Sequence, residues 1–168
     1  CHAGGIGVSE YNLYVTSDRG VAYFPLSDLD AENGTVKNIA YKETMNFGQL
    51  GKTYSAYISV SDGMLWTGNF YSNSPVSPIL AKWGLIGKDW VWKANEEFYN
   101  AILGYKLSGN SSEKEWASLE AIKDNASKIV NVDNETLCIL GISFRRTDNY
   151  TYKMYLSITT DGSLGAAI

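Results

Sequence analysis

If Cys1 is a processed terminus, the chain begins with a thiol, an amine and an imidazole in two residues, Cys1 and His2. That is the set an N-terminal nucleophile uses, with the thiol attacking and the amine accepting its proton. An N-terminal-nucleophile hydrolase acting through Cys1 is therefore one reading. Against it, the strand pattern that follows runs on as an uninterrupted repeat, and Cys1 is also the residue that a truncation would leave at the start. His2 is the sole histidine. Placed before Gly4-Gly5, it suits a ligand or metal contact, and equally a hydrogen bond to backbone that those glycines let come close.

Other candidates fall at equivalent places along the chain. Tyr54 and Ser55 stand where His2 stands in the preceding stretch, so His2, Tyr54 and Ser55 would share one mouth. Arg19 in one loop, and Asn69 and Tyr71 in the matching loop after Trp66, are placed to contact a ligand. Trp83, Trp90, Trp92, Phe98 and Tyr99 could present flat faces to sugar rings or apolar ligands, or could cover a small core of their own. The run Asp28 to Gly34 resembles a calcium loop, but its glycine falls one place late and Ile39 stands where a bidentate Glu is needed, so an acidic turn is expected. Glu96 and Glu97 are adjacent, and adjacent strand residues face opposite ways, so no carboxylate pair for glycosidic cleavage stands out. No metal or cofactor is expected.

What must position these residues is a repeat. Ile6 to Val15 aligns without a gap on Ile58 to Thr67, and a third copy reads Val130 to Ile139. Each copy alternates apolar and polar residues, breaks at a polar pair (Ser9-Glu10, Asp62-Gly63, Asp133-Asn134) and alternates again, the pattern of a β-hairpin. Asp-Gly is the strongest of these turn signals. A third strand is expected at Val21–Ser27, Ile102–Ser108 and Tyr152–Ser157. Val36–Met45 and Trp116–Ile122 are candidates for an outer fourth strand. Trp116, Leu119 and Ile122 also have helical spacing behind a Ser112-Glu113-Lys114-Glu115 capping box, but the repeat favours strand. The expected units are 1–51, 52–123 and 124–168, with an insertion at 72–100. Four strands per unit is the arithmetic of a propeller blade.

Composition agrees with an all-β class. Tyr (12), Trp (5) and Gly (16) are plentiful, while Pro and Met number three each. The net charge of −4 comes with no basic run, so nucleic acid is not an expected partner. No apolar run reaches the ~18 residues of a spanning helix, so no membrane insertion is expected. Cys1 and Cys138 are too few for a disulfide framework or a zinc site. Five Asn-x-Ser/Thr sequons start at Asn33, Asn110, Asn125, Asn134 and Asn149, and such an excess suits a secreted chain.

His2-Ala3-Gly4-Gly5-Ile6 and Leu65-Trp66-Thr67-Gly68-Asn69-Phe70 resemble the His-x-Gly-Gly-Ile and Leu-Trp-x-Gly-x-Phe phrases of secreted bacterial β-propeller proteins. The resemblance reaches Tyr71 and returns at Ile102–Ser108, about half the chain. It implies a fold and a compartment rather than a reaction, since such propellers include binding modules, hydrolases and lyases. The expectation is an all-β, incomplete propeller of about three four-stranded antiparallel blades. It would be an extracellular binding or interaction module for a carbohydrate, small-molecule or protein ligand, with His2, Arg19, Tyr54, Ser55, Trp66, Asn69, Tyr71, Trp83 and Trp90 as candidate contacts. The rival is a propeller hydrolase or lyase acting on an extracellular polysaccharide or a small ester or lactone. A scaffold for protein partners is a third class, and would show a large apolar patch.

Overall fold

The computed structural model describes residues 4–17, 20–29, 39–47, 55–69, 101–131, 138–149, 151–160 and 163–166. Over these residues the protein is mostly antiparallel β-sheet. Sheet 1 is a meander of β1 (Ile6–Val8), β2 (Asn12–Ser17), β3 (Gly20–Pro25) and β4 (Glu43–Met45). Sheet 2 repeats it with β5 (Ser55–Ser61), β6 (Met64–Asn69), β7 (Ala101–Lys106) and β8 (Lys128–Asn131). Sheet 3 pairs β9 (Cys138–Arg146), β10 (Tyr152–Thr160) and β11 (Ser163–Ala166), three strands among the described residues. None of the three sheets closes on itself.

The first two hairpins lie in the register that the alternation requires. Val8 pairs with Leu13 and Ile6 with Val15, just as Val60 pairs with Leu65 and Ile58 with Thr67. The second turn has Asp62 at φ 52° and Gly63 at φ 66°. Two positive φ values in succession make the type I′ turn that matches strand twist, which is why Asp-Gly is found there.

Sheet 2 is the middle layer. Leu65, Leu103, Tyr105 and Ile58 on its rear face pack with Tyr14, Val21, Tyr23, Met45 and Phe47 of the first unit. Tyr57, Trp66 and Ile102 on its forward face pack with Ile139, Ile142 and Ile158 of sheet 3. Residues one apart in sequence thus serve different cores, as a pleat dictates. Strand β5 lies against β1 and β2 on one side and β9 on the other. Its approach to β1 depends on glycine. A Cβ on Gly4 would collide with the Ala56 carbonyl, and one on Gly5 would lie 3.1 Å from the Ile58 nitrogen.

Two expectations are corrected. Trp116–Ile122 is not an outer strand but the body of a helix, α1 (Ser112–Ile122), which buries Trp116 and Leu119 in the core shared by sheets 1 and 2. Its N-cap is Ser111, whose hydroxyl accepts from the Lys114 amide, one residue earlier than the capping box suggests. Val130 does not open a third hairpin either: it lies in β8, paired to Ile102 of β7, and so ends sheet 2. The second unit therefore runs past residue 123 to Asn131. The third hairpin is instead β9–β10, which is longer than the first two and pairs Phe144 with Met154 and Ile142 with Leu156. The 72–100 insertion lies outside the described residues.

Gly4→Ala is expected to cost about 1–3 kcal/mol through overpacking against a backbone carbonyl, read as a lower urea midpoint. Gly141→Ala, whose new carbon meets nothing nearer than the Ser157 Cβ at 3.7 Å, should stay within about 0.5 kcal/mol of the parent.

Candidate functional site

The buried polar groups are of two kinds, those bonded to one another and those left without a partner. At the turn end of β1 and β2, Glu115 of α1 is buried, and its Oε1 accepts from the Ser9 hydroxyl (2.5 Å), the Asn12 amide (3.0 Å) and the Tyr14 hydroxyl (2.5 Å). Asn12 also donates to the Ser112 carbonyl at 3.1 Å and accepts from the Ser112 hydroxyl. Beside this, Trp116 stacks on Tyr23 with ring centroids 4.4 Å apart and donates through Nε1 to Glu43 at 2.7 Å. Donors and acceptors around Glu115 are matched, so this cluster is a joint between α1 and sheet 1.

Three buried hydroxyls are left over among the described residues, those of Ser55 and Tyr57 at the start of β5 and that of Tyr105 in β7. Ser55 is buried with no hydrogen-bond partner for its hydroxyl among the described residues, and the Tyr57 hydroxyl is in the same state. Between them the β5–β6 register slips at Ala56, so that Ser55 pairs with Asn69 and Tyr57 with Gly68. Bulges of this kind re-aim side chains at sheet ends. Thr67 ties the bulge down by donating to the Tyr57 carbonyl at 2.8 Å. Alongside, the Gly4 amide donates to the Thr16 carbonyl at 3.0 Å, and the Thr16 amide to the Gly5 carbonyl at 3.1 Å. A buried hydroxyl without a partner costs about 1–3 kcal/mol. Two of them at one strand start mark where an added polar ligand would gain most.

Of the sequence candidates, the structure brings Ser55 and Asn69 together as register partners. Trp66 is a core residue, 8% exposed, its ring 5.1 Å from that of Phe144 between sheets 2 and 3. It lies over Gly104, where a Cβ would come within 2.9 Å of the indole. His2, Arg19, Tyr54, Tyr71, Trp83 and Trp90 lie outside the described residues, as do Cys1, Glu96 and Glu97. Asp28 of the acidic run pairs with Lys42 at 3.2 Å. Sequence reasoning missed Tyr57 and Glu115. Tyr57 sits at a core position of an alternating strand, where its hydroxyl needs a partner. Glu115 shares a helix face with Trp116 and Leu119, and an acid on an apolar stripe is the signal that could have found it. Among the described residues no group of three or more His, Cys, Asp or Glu could hold a metal ion, and no helix is long and apolar enough to cross a membrane.

No protein-family model, curated protein or solved structure matches this chain.

Burial pushes the Tyr57 and Tyr105 phenols above the ordinary value near 10.0. Burial and then the hydrogen bond to Glu115 push Tyr14 higher still. A native pKa above the unfolded one means that the stability these groups lend is whole below pH 10 and drains away as pH climbs through the native values. Stability should therefore fall progressively above pH 10. In Tyr57→Phe that fall should be shallower, with no loss at pH 7, because the hydroxyl has no partner to lose. Glu115→Ala should cost about 3 kcal/mol or more, since three donors lose their acceptor at about 1–3 kcal/mol each. Glu115→Gln, which keeps an acceptor and the volume, should lose less by calorimetry.

Proposed function

We propose that this chain is an extracellular binding module, built from propeller-type blades, whose ligand face lies at the starts of the first strands. The observation that carries the reading is the pair of buried, unpartnered hydroxyls of Ser55 and Tyr57, two residues apart at the start of β5. His2 stands two residues before Gly4 and Tyr54 one before Ser55, so the sequence candidates adjoin the same strand starts. Trp83 and Trp90 of the insertion would supply flat apolar faces, which favours a ligand with both hydroxyls and apolar ring faces, an oligosaccharide. Binding is then rigid display by sheet-anchored side chains, with no bond made or broken. Two four-stranded meanders and a third sheet, stacked by their first strands, support the blade reading. Asn110, Asn125 and Asn149, three of the five sequon asparagines, are exposed, as attachment of a glycan in a secretory compartment requires.

The test is a panel of soluble polysaccharides and oligosaccharides titrated by calorimetry. Saturable binding is expected, lost in Trp83→Ala and Trp90→Ala, and weakened at least about tenfold in Ser55→Ala with the thermal midpoint unchanged. Each removed contact of this kind is worth about 1.4 kcal/mol or more. Cleavage of a bound oligosaccharide would replace the reading with an enzymatic one, and the absence of any binding across the panel would refute it.

A further inference from the structure

Each of the three sheets is irregular at the same place, the start of its first strand. In sheet 1 the Thr16 carbonyl accepts from the Gly4 amide while the Thr16 amide donates to the Gly5 carbonyl, so two residues leading into β1 face one of β2. In sheet 2 Ser55 pairs with Asn69 and Tyr57 with Gly68, which leaves Ala56 as an extra residue. In sheet 3 Gly141 pairs with Ser157 and Ile139 with Ile158, which leaves Leu140 extra. Gly4, Ala56 and Leu140 each stand two places before an isoleucine, at Ile6, Ile58 and Ile142. Two residues against one is a β-bulge, and bulges gather where a strand re-aims a side chain or ends its pairing.

The three bulges are neighbours in space. A Cβ on Gly4 would collide with the Ala56 carbonyl, so the first bulge rests on the backbone of the second. Ala56 in turn packs against the core cluster that holds Ile139, the residue before Leu140. Their chemistry differs along the row. The buried Thr16 hydroxyl donates to the Gly5 carbonyl at 3.5 Å, a length that leaves little bonding. Ser55 and Tyr57, on either side of Ala56, have hydroxyls without a partner among the described residues. At the third bulge Ile139 is fully buried, whereas Leu140 is 36% exposed and belongs to neither core cluster. A single exposed leucine means little by itself. This one is set at the surface by a backbone device that recurs beside two unsatisfied hydroxyls.

We infer that the ligand face runs across all three bulges, with Leu140 as a further contact, and that its ligand is an extended oligosaccharide. The inference rests on the binding reading above, to which it adds the third sheet and the length of the ligand. Packed sheets lie about 10 Å apart, so three strand starts in a row span about 20 Å. One sugar ring covers one of them. A chain of rings can bring its hydroxyls to Ser55 and Tyr57 and lay the apolar face of a later ring on Leu140, a few polar groups fixing orientation beside an apolar contact.

Oligomers of cellulose, xylan and chitin, from disaccharide to hexasaccharide, titrated by calorimetry into the parent and three variants, test it. In the parent, affinity should rise with chain length until all three starts are spanned. Leu140→Ser should bind the hexasaccharide at least about fivefold more weakly, through loss of one apolar contact, and the disaccharide as the parent does. Leu140→Met, which keeps an apolar surface, should bind like the parent, and unchanged thermal midpoints show that the fold is kept. Ser55→Ala should weaken short and long oligomers alike. Hexasaccharide binding that falls in Ser55→Ala but not in Leu140→Ser, or that is no tighter than disaccharide binding, overturns the extension while the binding reading stands. No binding by any oligomer overturns both.

Discussion

Sheet 2 has apolar side chains on both faces, and an antiparallel sheet of that kind can face water on neither. Leu65 and Trp66 are neighbours in sequence, yet one enters the core shared with sheet 1 and the other the core shared with sheet 3. The remaining architecture follows from this. Two further sheets must flank the middle one, and their own inner faces must be apolar at alternate residues. Close approach is then set by what the first strands carry. Gly4, Gly5 and Gly7 bring β1 onto the backbone and side chains of β5, where three larger residues would hold the layers apart and open voids.

Stacking alone leaves the layers free to slide, because apolar contact has little direction. The buried cluster around Glu115 supplies direction. Its carboxylate takes three donors from β2 and the turn before it, a geometry that tolerates no shift of a residue in either partner. The Trp116 ring on Tyr23, with its Nε1–H on Glu43, fixes the same helix at a second point. The carboxylate's desolvation is costly, and it is offset only while every bond is made, so the joint is intolerant of partial formation.

Much of the layer pattern was legible in the alternation of residues. The hairpins Ile6–Val15 and Ile58–Thr67 could be read in register, because period-2 burial and an Asp-Gly turn are local signals. The third hairpin was not legible where it was expected. Val130-Asn131-Val132 alternates and precedes Asp133-Asn134, but alternation does not say which strand a segment will pair with. Its partner Ile102 lies 28 residues upstream across a helix. The helix was misread for a related reason. Its local spacing was correct, and a count of four strands per unit overrode it, although β8 could fill the fourth place. At the site, Ser55 could be placed from its position before an alternating run. Tyr57 and Glu115 could not, because what distinguishes them is the presence or absence of partners far away in sequence.

The same contrast bears on where recognition can lie. Stability favours ends of the sheets where each donor has an acceptor, as around Glu115. A binding surface needs the reverse, groups whose bonds are completed only by the ligand, and each such group buried in the free protein costs stability. Ser55 can bear that cost because it belongs to neither core cluster. Substituting Ser55 alters no pair in either core, whereas substituting Asn12 at the other end dismantles the Glu115 joint. The proposed ligand face therefore draws on Ser55, which the apolar layers do not need, beside Tyr57, whose ring they do need and whose hydroxyl they leave without a partner.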